Sequence, residues 1–189
     1  MPEYVELLIL GLGNVLCGDD GLGVLAVDLL KQSYVTPAGV EVVDGGTLGL
    51  SLLPLVMDAE RVLMVDAVRR PGCRPGSLVR LEDDEVRSAA RTRLSPHQVG
   101  VADLLDGAAL LGWSPAKLVL VGLVPKSIDL GVGLSPPIER RLRALTRRIA
   151  AEAGALGHEF SQRPKHEKAP RVGRFGGVGA AFGMSRPGC

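Results

Sequence analysis

The chain has 189 residues, of which 46% are hydrophobic and 23% are charged, a composition typical of one globular domain. No run of about 18 uncharged apolar residues is present, so we expect no membrane span, and with a net charge of +1 we expect no nucleic-acid partner. The acidic N-terminus lacks the pattern of a secretory signal, and the three cysteines form no CxxC pair. We therefore expect a cytoplasmic protein in a reducing compartment.

The first half of the chain alternates predicted strands and helices. An apolar run at 5–10 predicts a buried strand that ends in a glycine-rich turn, and apolar residues at helical spacing from 22 to 30 predict a helix behind it. Asp19 and Asp20 precede this helix, where the helix dipole favours negative charge. A second strand at 40–43 ends at Asp44, and an apolar helix is predicted near 48–57.

The second half continues the alternation. A third strand at 61–65 ends at Asp66, and a fourth at 77–81 follows a turn rich in Pro and Gly. The residues Ser95, Pro96 and Gln98 form a capping box with proline at the first helical position, which predicts a helix from there to about 111. A fifth strand at 117–123 and a final arginine-rich helix from 137 to about 153 complete an α/β domain. The pattern predicts a mostly parallel five-stranded sheet covered by helices on both faces.

Domain organisation changes near residue 157. From 158 onward six Lys and Arg residues stand against two Glu, Gly and Pro are frequent, and no hydrophobic period is visible. This composition predicts a domain at 1–157 and a flexible basic tail at 158–189. Such a tail could instead act as an arm that holds an acidic surface of a partner.

Carboxylates follow three of the predicted strands. Asp20 follows the first, Asp44 the second and Asp66 the third, and the carboxyl ends of parallel strands meet at one edge of a sheet. Uncompensated, these charges would repel one another, whereas a divalent cation would remove that cost. His97, in the first turn of its helix, would face the same edge and would complete a ligand set suited to Zn²⁺, Ni²⁺ or Mn²⁺. His158 and His166 lie at or beyond the end of the domain and are not predicted ligands.

Other site motifs have less support. The pair Gly11 and Gly13 follows a strand, as in dinucleotide-binding folds, but the third glycine of GxGxxG is replaced by Leu16. The chain contains no GxxxxGK[ST], HExxH or GxSxG motif. Cys17 lies near the predicted site, yet no histidine is close to it in sequence, which favours a packing role over a nucleophilic one.

Five sequence blocks occur in register along residues 7–150: GLGNVLCGDDGLGVLAVDLL, EVVDGGTLGL, VLMVDAV, LSPHQVGVADLL and LVLVGLVPKSIDLGVGLSPPI. Together they resemble the maturation endopeptidases of nickel–iron hydrogenases. The resemblance implies a three-layer α/β/α domain whose metal ligands are Asp20, Asp66 and His97. It also implies that Asp44 occupies a position needed for activity, in a role it does not define. Asp20 stands where some members of the family have glutamate.

The resemblance further implies an activity. We expect an endopeptidase that removes the C-terminal extension of a hydrogenase large-subunit precursor after nickel has been inserted. The metal would either activate water as a resident ion, nickel or another divalent metal such as zinc, or be the nickel that the precursor already holds. A non-enzymatic nickel-binding maturation chaperone that uses the same three residues is the alternative. A monomer is the favoured oligomeric state.

Overall fold

The computed structural model describes residues 5–91 and 98–164. Its strands within these ranges are β1 (Val5–Leu12), β2 (Tyr34–Val35), β3 (Val40–Gly46), β4 (Ala59–Ala67), β5 (Leu78–Glu82), β6 (Lys117–Leu123) and β7 (Ser161–Gln162). The α-helices are α1 (Leu22–Ser33), α2 (Leu53–Met57), α3 (Asp84–Arg91), α4 (Gln98–Leu110) and α5 (Pro136–Ala155). Short 3-10 helices occupy Gly18–Gly21 and Gly49–Leu52.

The central sheet has five strands in the order β3-β1-β4-β6-β5. The first four run parallel, and β5 pairs with β6 in the antiparallel direction. Because the connection from β4 to β5 contains no crossover helix, the chain reverses its direction there, and β5 is the outermost strand, antiparallel to β6. The prediction of an α/β domain with a mostly parallel five-stranded sheet is confirmed.

Alternate residues of the central strands build two separate cores, one on each face of the sheet. Along β1, Leu8 and Leu10 pack with residues of α2, α3 and α4, whereas Leu7 and Ile9 pack with α1 and α5. We call these the α4 face and the α1 face. The alternation continues to the strand ends and decides which site residues share a face.

Two elements escaped sequence reasoning. The helix α3 was not predicted; it buries Val86, Ala89 and Ala90 on one side of a short segment that is otherwise mostly polar. The other is the two-stranded pairing of β2 with β7, in which Tyr34 lies opposite Gln162.

The folded unit extends beyond the predicted boundary at Gly157. His158 is buried, the ring of Phe160 packs edge-on against Tyr34 at 6.2 Å between centroids, and β7 follows. The first seven residues of the predicted tail therefore belong to the packed domain, and residues 165–189 lie outside the described part of the chain. The sequence did not predict this extension, because one aromatic ring and one short strand attach the segment and neither produces a periodic pattern.

No helix within the described ranges is both long enough and apolar enough to cross a bilayer.

Candidate functional site

The N-terminal end of α1 lies directly against the carboxyl ends of two central strands. A Cβ at Gly23 would lie 2.2 Å from the carbonyl oxygen of Val65 and 2.3 Å from that of Leu12. Only glycine allows this approach of backbone to backbone. The close contact places the 3-10 helix Gly18–Gly21, with its two aspartates, at the end of β1 and β4.

Asp66 has the most perturbed carboxyl group among the described residues. Its side chain is fully buried, Oδ1 accepts a hydrogen bond from the backbone N–H of Ala67 at 2.7 Å, and Oδ2 has no hydrogen-bond partner among the described residues. Burial raises the pKa of this carboxyl to about 8, the Ala67 hydrogen bond opposes the rise, and the charge of Asp20 adds to it. The structure therefore brings Asp20 and Asp66 close enough for their charges to interact.

Asp20 is held by the glycine-rich loop that follows β1. Its buried carboxylate accepts a hydrogen bond from the backbone N–H of Asn14 at 2.7 Å, and the Asn14 side chain in turn accepts one from the N–H of Leu16. The loop can fold this way because Gly13 has a φ of 122°, and a Cβ there would lie 1.9 Å from the carbonyl oxygen of Asp20. The loop thus orients the Asp20 carboxylate.

Asp19, its neighbour in sequence, has a different role. The fully buried carboxylate accepts hydrogen bonds from the backbone N–H groups of Lys126, Ser127 and Ser135, and a fourth from the Ser135 hydroxyl. Asp19 therefore connects the 3-10 helix to the loop between β6 and α5. Both aspartates follow the first predicted strand, and the resemblance selected Asp20 alone as a ligand; these contacts show that Asp19 has a connecting role.

Asp44 does not join Asp20 and Asp66. Along β3, Val43 packs on the α4 face, so Asp44 projects to the α1 face, where its charge adds to the effect of burial in raising the pKa of Asp28. Along β4, Val65 and Ala67 pack on the α1 face, so Asp66 projects to the α4 face. The two side chains therefore leave the sheet on opposite sides.

The contact that Asp44 does make is local. Its Oδ1 accepts a hydrogen bond from the N–H of Gly46 at 3.0 Å, and the carbonyl oxygen of Gly46 accepts one from the N–H of Gly13. Asp44 thus shapes the turn that supports the glycine-rich loop around Asp20. Its predicted catalytic role stays a prediction.

His97 lies outside the described residues, so its predicted place at the site stays a prediction. The helix that follows it in sequence, α4, packs on the face to which Asp66 projects. A Cβ on Gly100 in its first turn would lie 3.3 Å from the Cα of Gly49. A cleft of about 160 Å³ opens here, lined by Leu12, Gly46, Thr47, Gly49, Leu52, Gly100, Val101 and Leu104.

The donor set fits a divalent cation. Two buried carboxylates interact, and Asp66 has an oxygen that accepts no hydrogen bond from the described residues. A cation would stabilise both charges, and an imidazole ligand from His97 would complete a set suited to zinc or nickel. Within the described ranges alone, no group of three or more His, Cys, Asp or Glu residues is arranged to hold a metal ion.

A second cleft at the same sheet edge was missed by sequence reasoning. It encloses about 430 Å³ between the loop after β4 and the loop after β6, and its lining is Arg69, Arg70, Pro71, Val124, Pro125, Lys126, Ser127 and Ile128. The signal in the sequence is the pair of arginines that follows Asp66 by three and four residues. We call this feature the basic cleft.

Comparison with known proteins gives consistent matches. Residues 24–152 match the family model described as hydrogenase maturation protease. The hydrogenase 2 maturation protease of Escherichia coli strain K12 is 36% identical over 155 residues, which cover 82% of this chain and 94% of that protein.

Solved structures agree. The hydrogenase maturating endopeptidase HybD from E. coli matches with a TM-score of 0.79 and 35% identity over 84% of this chain and 98% of its own. The nickel–iron hydrogenase maturation protease HybD from Thermococcus kodakarensis matches with a TM-score of 0.67 and 28% identity, over 78% and 99% of the two chains.

Proposed function

Because the chain belongs to the hydrogenase maturation protease family and is therefore an endopeptidase, we propose that it removes the C-terminal extension of a nickel–iron hydrogenase large-subunit precursor after nickel insertion. The proposed site consists of Asp20, Asp66 and His97. The observation that carries the proposal is the buried pair of interacting carboxylates, one with an oxygen that accepts no hydrogen bond from the described residues.

The residues of this chain prepare the site for a cation. The backbone N–H groups of Asn14 and Ala67 each donate to one carboxylate, which orients Asp20 and Asp66 before any metal arrives. Burial excludes water from both groups, so their attraction for a cation is weakly screened. His97 would supply the third ligand from the segment before α4.

A metal bound by these ligands would act as a Lewis acid that polarises the scissile carbonyl and lowers the pKa of a bound water. The remaining task of the chain is to place the peptide. The cleft beside Gly100 is lined by three glycines and adjoins Leu12 at the end of β1. We propose that it receives the extended substrate chain, whose backbone can approach closely where side chains are absent.

We propose that the nickel is carried by the substrate. A site of two carboxylates and one imidazole suits nickel, and nickel already held by the precursor would complete the site only in the loaded form. On this view the three residues recognise the loaded precursor, and cleavage of the unloaded precursor is slow. Asp44 acts as a positioning residue through Gly46 and the loop around Asp20.

The test is to incubate the purified full-length protein with nickel-loaded and nickel-free precursor and to follow the precursor by mass spectrometry. We expect loss of the C-terminal extension from the loaded form and little change in the other. Equal cleavage of both forms would refute nickel recognition but not the peptidase. A precursor that binds and keeps its full mass would favour the maturation chaperone.

The site residues are tested with Asp20→Asn, Asp66→Asn and His97→Ala, each of which should reduce cleavage by at least a hundredfold. The matched control is Asp58→Asn, which removes an exposed carboxylate before β4 and therefore at the opposite edge of the sheet. Processing by the His97→Ala protein at the wild-type rate would show that the site is misplaced.

A further inference from the structure

The basic cleft lies beside the carboxylate site and has a cationic lining. We propose that it binds an acidic segment of the protein substrate close to the bond that is cut. The inference rests on the proposed function, which supplies the substrate, and it assigns the cleft a role in orienting that substrate. The supporting observations are the charge of the cleft, its fixed shape and its position.

The three cationic side chains of the cleft are available to a ligand. Arg69, Arg70 and Lys126 are exposed, and no carboxylate of the described residues lies within ion-pair distance of them. At the antiparallel edge strand, by contrast, Arg80 and Lys117 are paired with carboxylates. The cleft thus concentrates unneutralised positive charge.

The backbone fixes the shape of the cleft on the β6 side. The N–H groups of Lys126 and Ser127 donate to the buried carboxylate of Asp19, at 2.8 and 3.2 Å. Since Asp19 is adjacent to Asp20, the wall of the cleft is tied directly to the loop that carries the site. A bound segment is therefore held in a defined relation to the reacting centre.

The β4 side is also fixed. The N–H of Val68 donates to the carbonyl oxygen of Leu123, and the N–H of Cys73 donates to that of Arg70, which closes a turn after the two arginines. A preformed cleft loses little conformational entropy when it binds a ligand.

The position of the cleft favours a peptide over a small anion. Arg69 follows Asp66 by three residues, so the cleft begins at most about 10 Å from the site, the length of three extended residues. Its lining includes the apolar side chains of Pro71, Val124 and Ile128, which suit a peptide chain. Because the cationic cleft lies on one side of the site, a substrate with an acidic segment is bound in one direction.

The test compares two double variants of the full-length protein. Arg70→Gln/Lys126→Gln removes two charges from the cleft, and Arg143→Gln/Arg147→Gln removes two exposed charges from α5. Arg147 lies about 17 Å along the helix from its first turn beside Asp19. At low salt, the KM for loaded precursor should rise about three- to tenfold in the cleft variant, with kcat nearly unchanged. The difference in KM between the cleft variant and the wild type should become smaller as the salt concentration rises. The α5 variant should match the wild type.

A second substrate identifies the interacting groups. Asp and Glu residues within about ten positions of the cut are changed to Asn and Gln in the precursor. The KM of the wild-type enzyme should rise by a similar factor on this substrate. The KM of the cleft variant should not rise further, because the two changes remove the same interaction. Additive losses, or a cleft variant with the wild-type KM, would overturn the proposal.

Binding separates this inference from the proposed function. The affinity of the wild type and the cleft variant for the precursor is measured by calorimetry, independently of cleavage. If the wild type cuts no precursor, the proposed function fails, whereas weaker binding by the cleft variant alone still supports the acidic-segment site. Equal binding by the wild type and both double variants refutes it.

Discussion

The raised pKa of Asp66 makes the stability of the metal-free protein depend on pH in a defined direction. Burial raises the pKa of this carboxyl from its ordinary value of 3.8 to about 8. Between those values the folded protein keeps a proton that the unfolded chain has lost, so folding takes up a proton. The stabilising contribution of Asp66 to the free energy of unfolding is therefore fully present below about pH 4 and is lost as the pH rises towards 8.

The perturbation is Asp66→Asn, which removes the titration and keeps an oxygen that can accept the hydrogen bond from Ala67. One proton corresponds to a slope of about 1.4 kcal/mol per pH unit in the free energy of unfolding. Between pH 5 and pH 7 the free energy of unfolding of the wild type should therefore fall by about 3 kcal/mol relative to that of the variant. The two curves should become parallel again above about pH 8.

The assay is urea unfolding of both proteins in the presence of a chelator, at pH 5, 6 and 7, followed by circular dichroism. Comparison with the variant cancels the pH dependence of the groups that do not interact with Asp66. Wild-type and variant free energies that change in parallel over this range would refute the assignment of a buried, protonated Asp66. A saturating divalent cation should remove the wild-type slope, because a bound cation favours the ionised carboxylates.

Three further predictions concern packing around the site. Gly122→Ala places a Cβ 1.9 Å from a backbone carbonyl oxygen in the neighbouring strand, so it should lower the free energy of unfolding by at least about 3 kcal/mol and remove most of the activity. Gly154→Ala, with open space around it, should be neutral or stabilising in thermal unfolding. Asp19→Asn replaces an acceptor of several hydrogen bonds and should cost about 2–4 kcal/mol in urea unfolding; an unchanged midpoint would contradict its connecting role. A chain that ends at Gly157 should be about 1–3 kcal/mol less stable than one that ends at Pro164, and equal melting temperatures would show that the segment between them contributes nothing.

The central strands were predictable because they carry long apolar runs between glycine-rich turns. The position of Asp66 at the end of β4 was predictable for the same reason, since a buried parallel strand ends where its apolar run ends. The helix α3 was not predictable in this way, because alanine provides most of its buried face. The attachment of segment 158–164 was not predicted, because it depends on the ring of Phe160, the pairing of β7 and hydrogen bonds from Arg163, none of which gives a periodic pattern.

The candidate site also has features that the sequence predicted and features that it did not. Sequence spacing predicted that Asp20, Asp44 and Asp66 lie at one edge of the sheet. In the structure Asp44 and Asp66 lie in the last residues of β3 and β4, and Asp20 follows β1. Spacing does not say on which side of the sheet a strand's last residue projects relative to a neighbouring strand. Register and alternation put Asp44 and Asp66 on opposite faces, and this could be seen only after the strands were paired.

The sequence by itself determined the class of fold and the order of the central strands, because apolar periodicity and glycine-rich turns are local properties of a chain. Its motif blocks indicated the family and the residues worth testing. Only the tertiary structure showed that Asp19 connects the 3-10 helix to the loop before α5 and that Asp20 interacts with Asp66. Only the tertiary structure revealed the basic cleft, whose arginines and lysine lie 56 residues apart in the chain between Arg70 and Lys126. Burial, charge interaction and cleft lining depend on which distant segments meet, and that is decided by packing across the sheet.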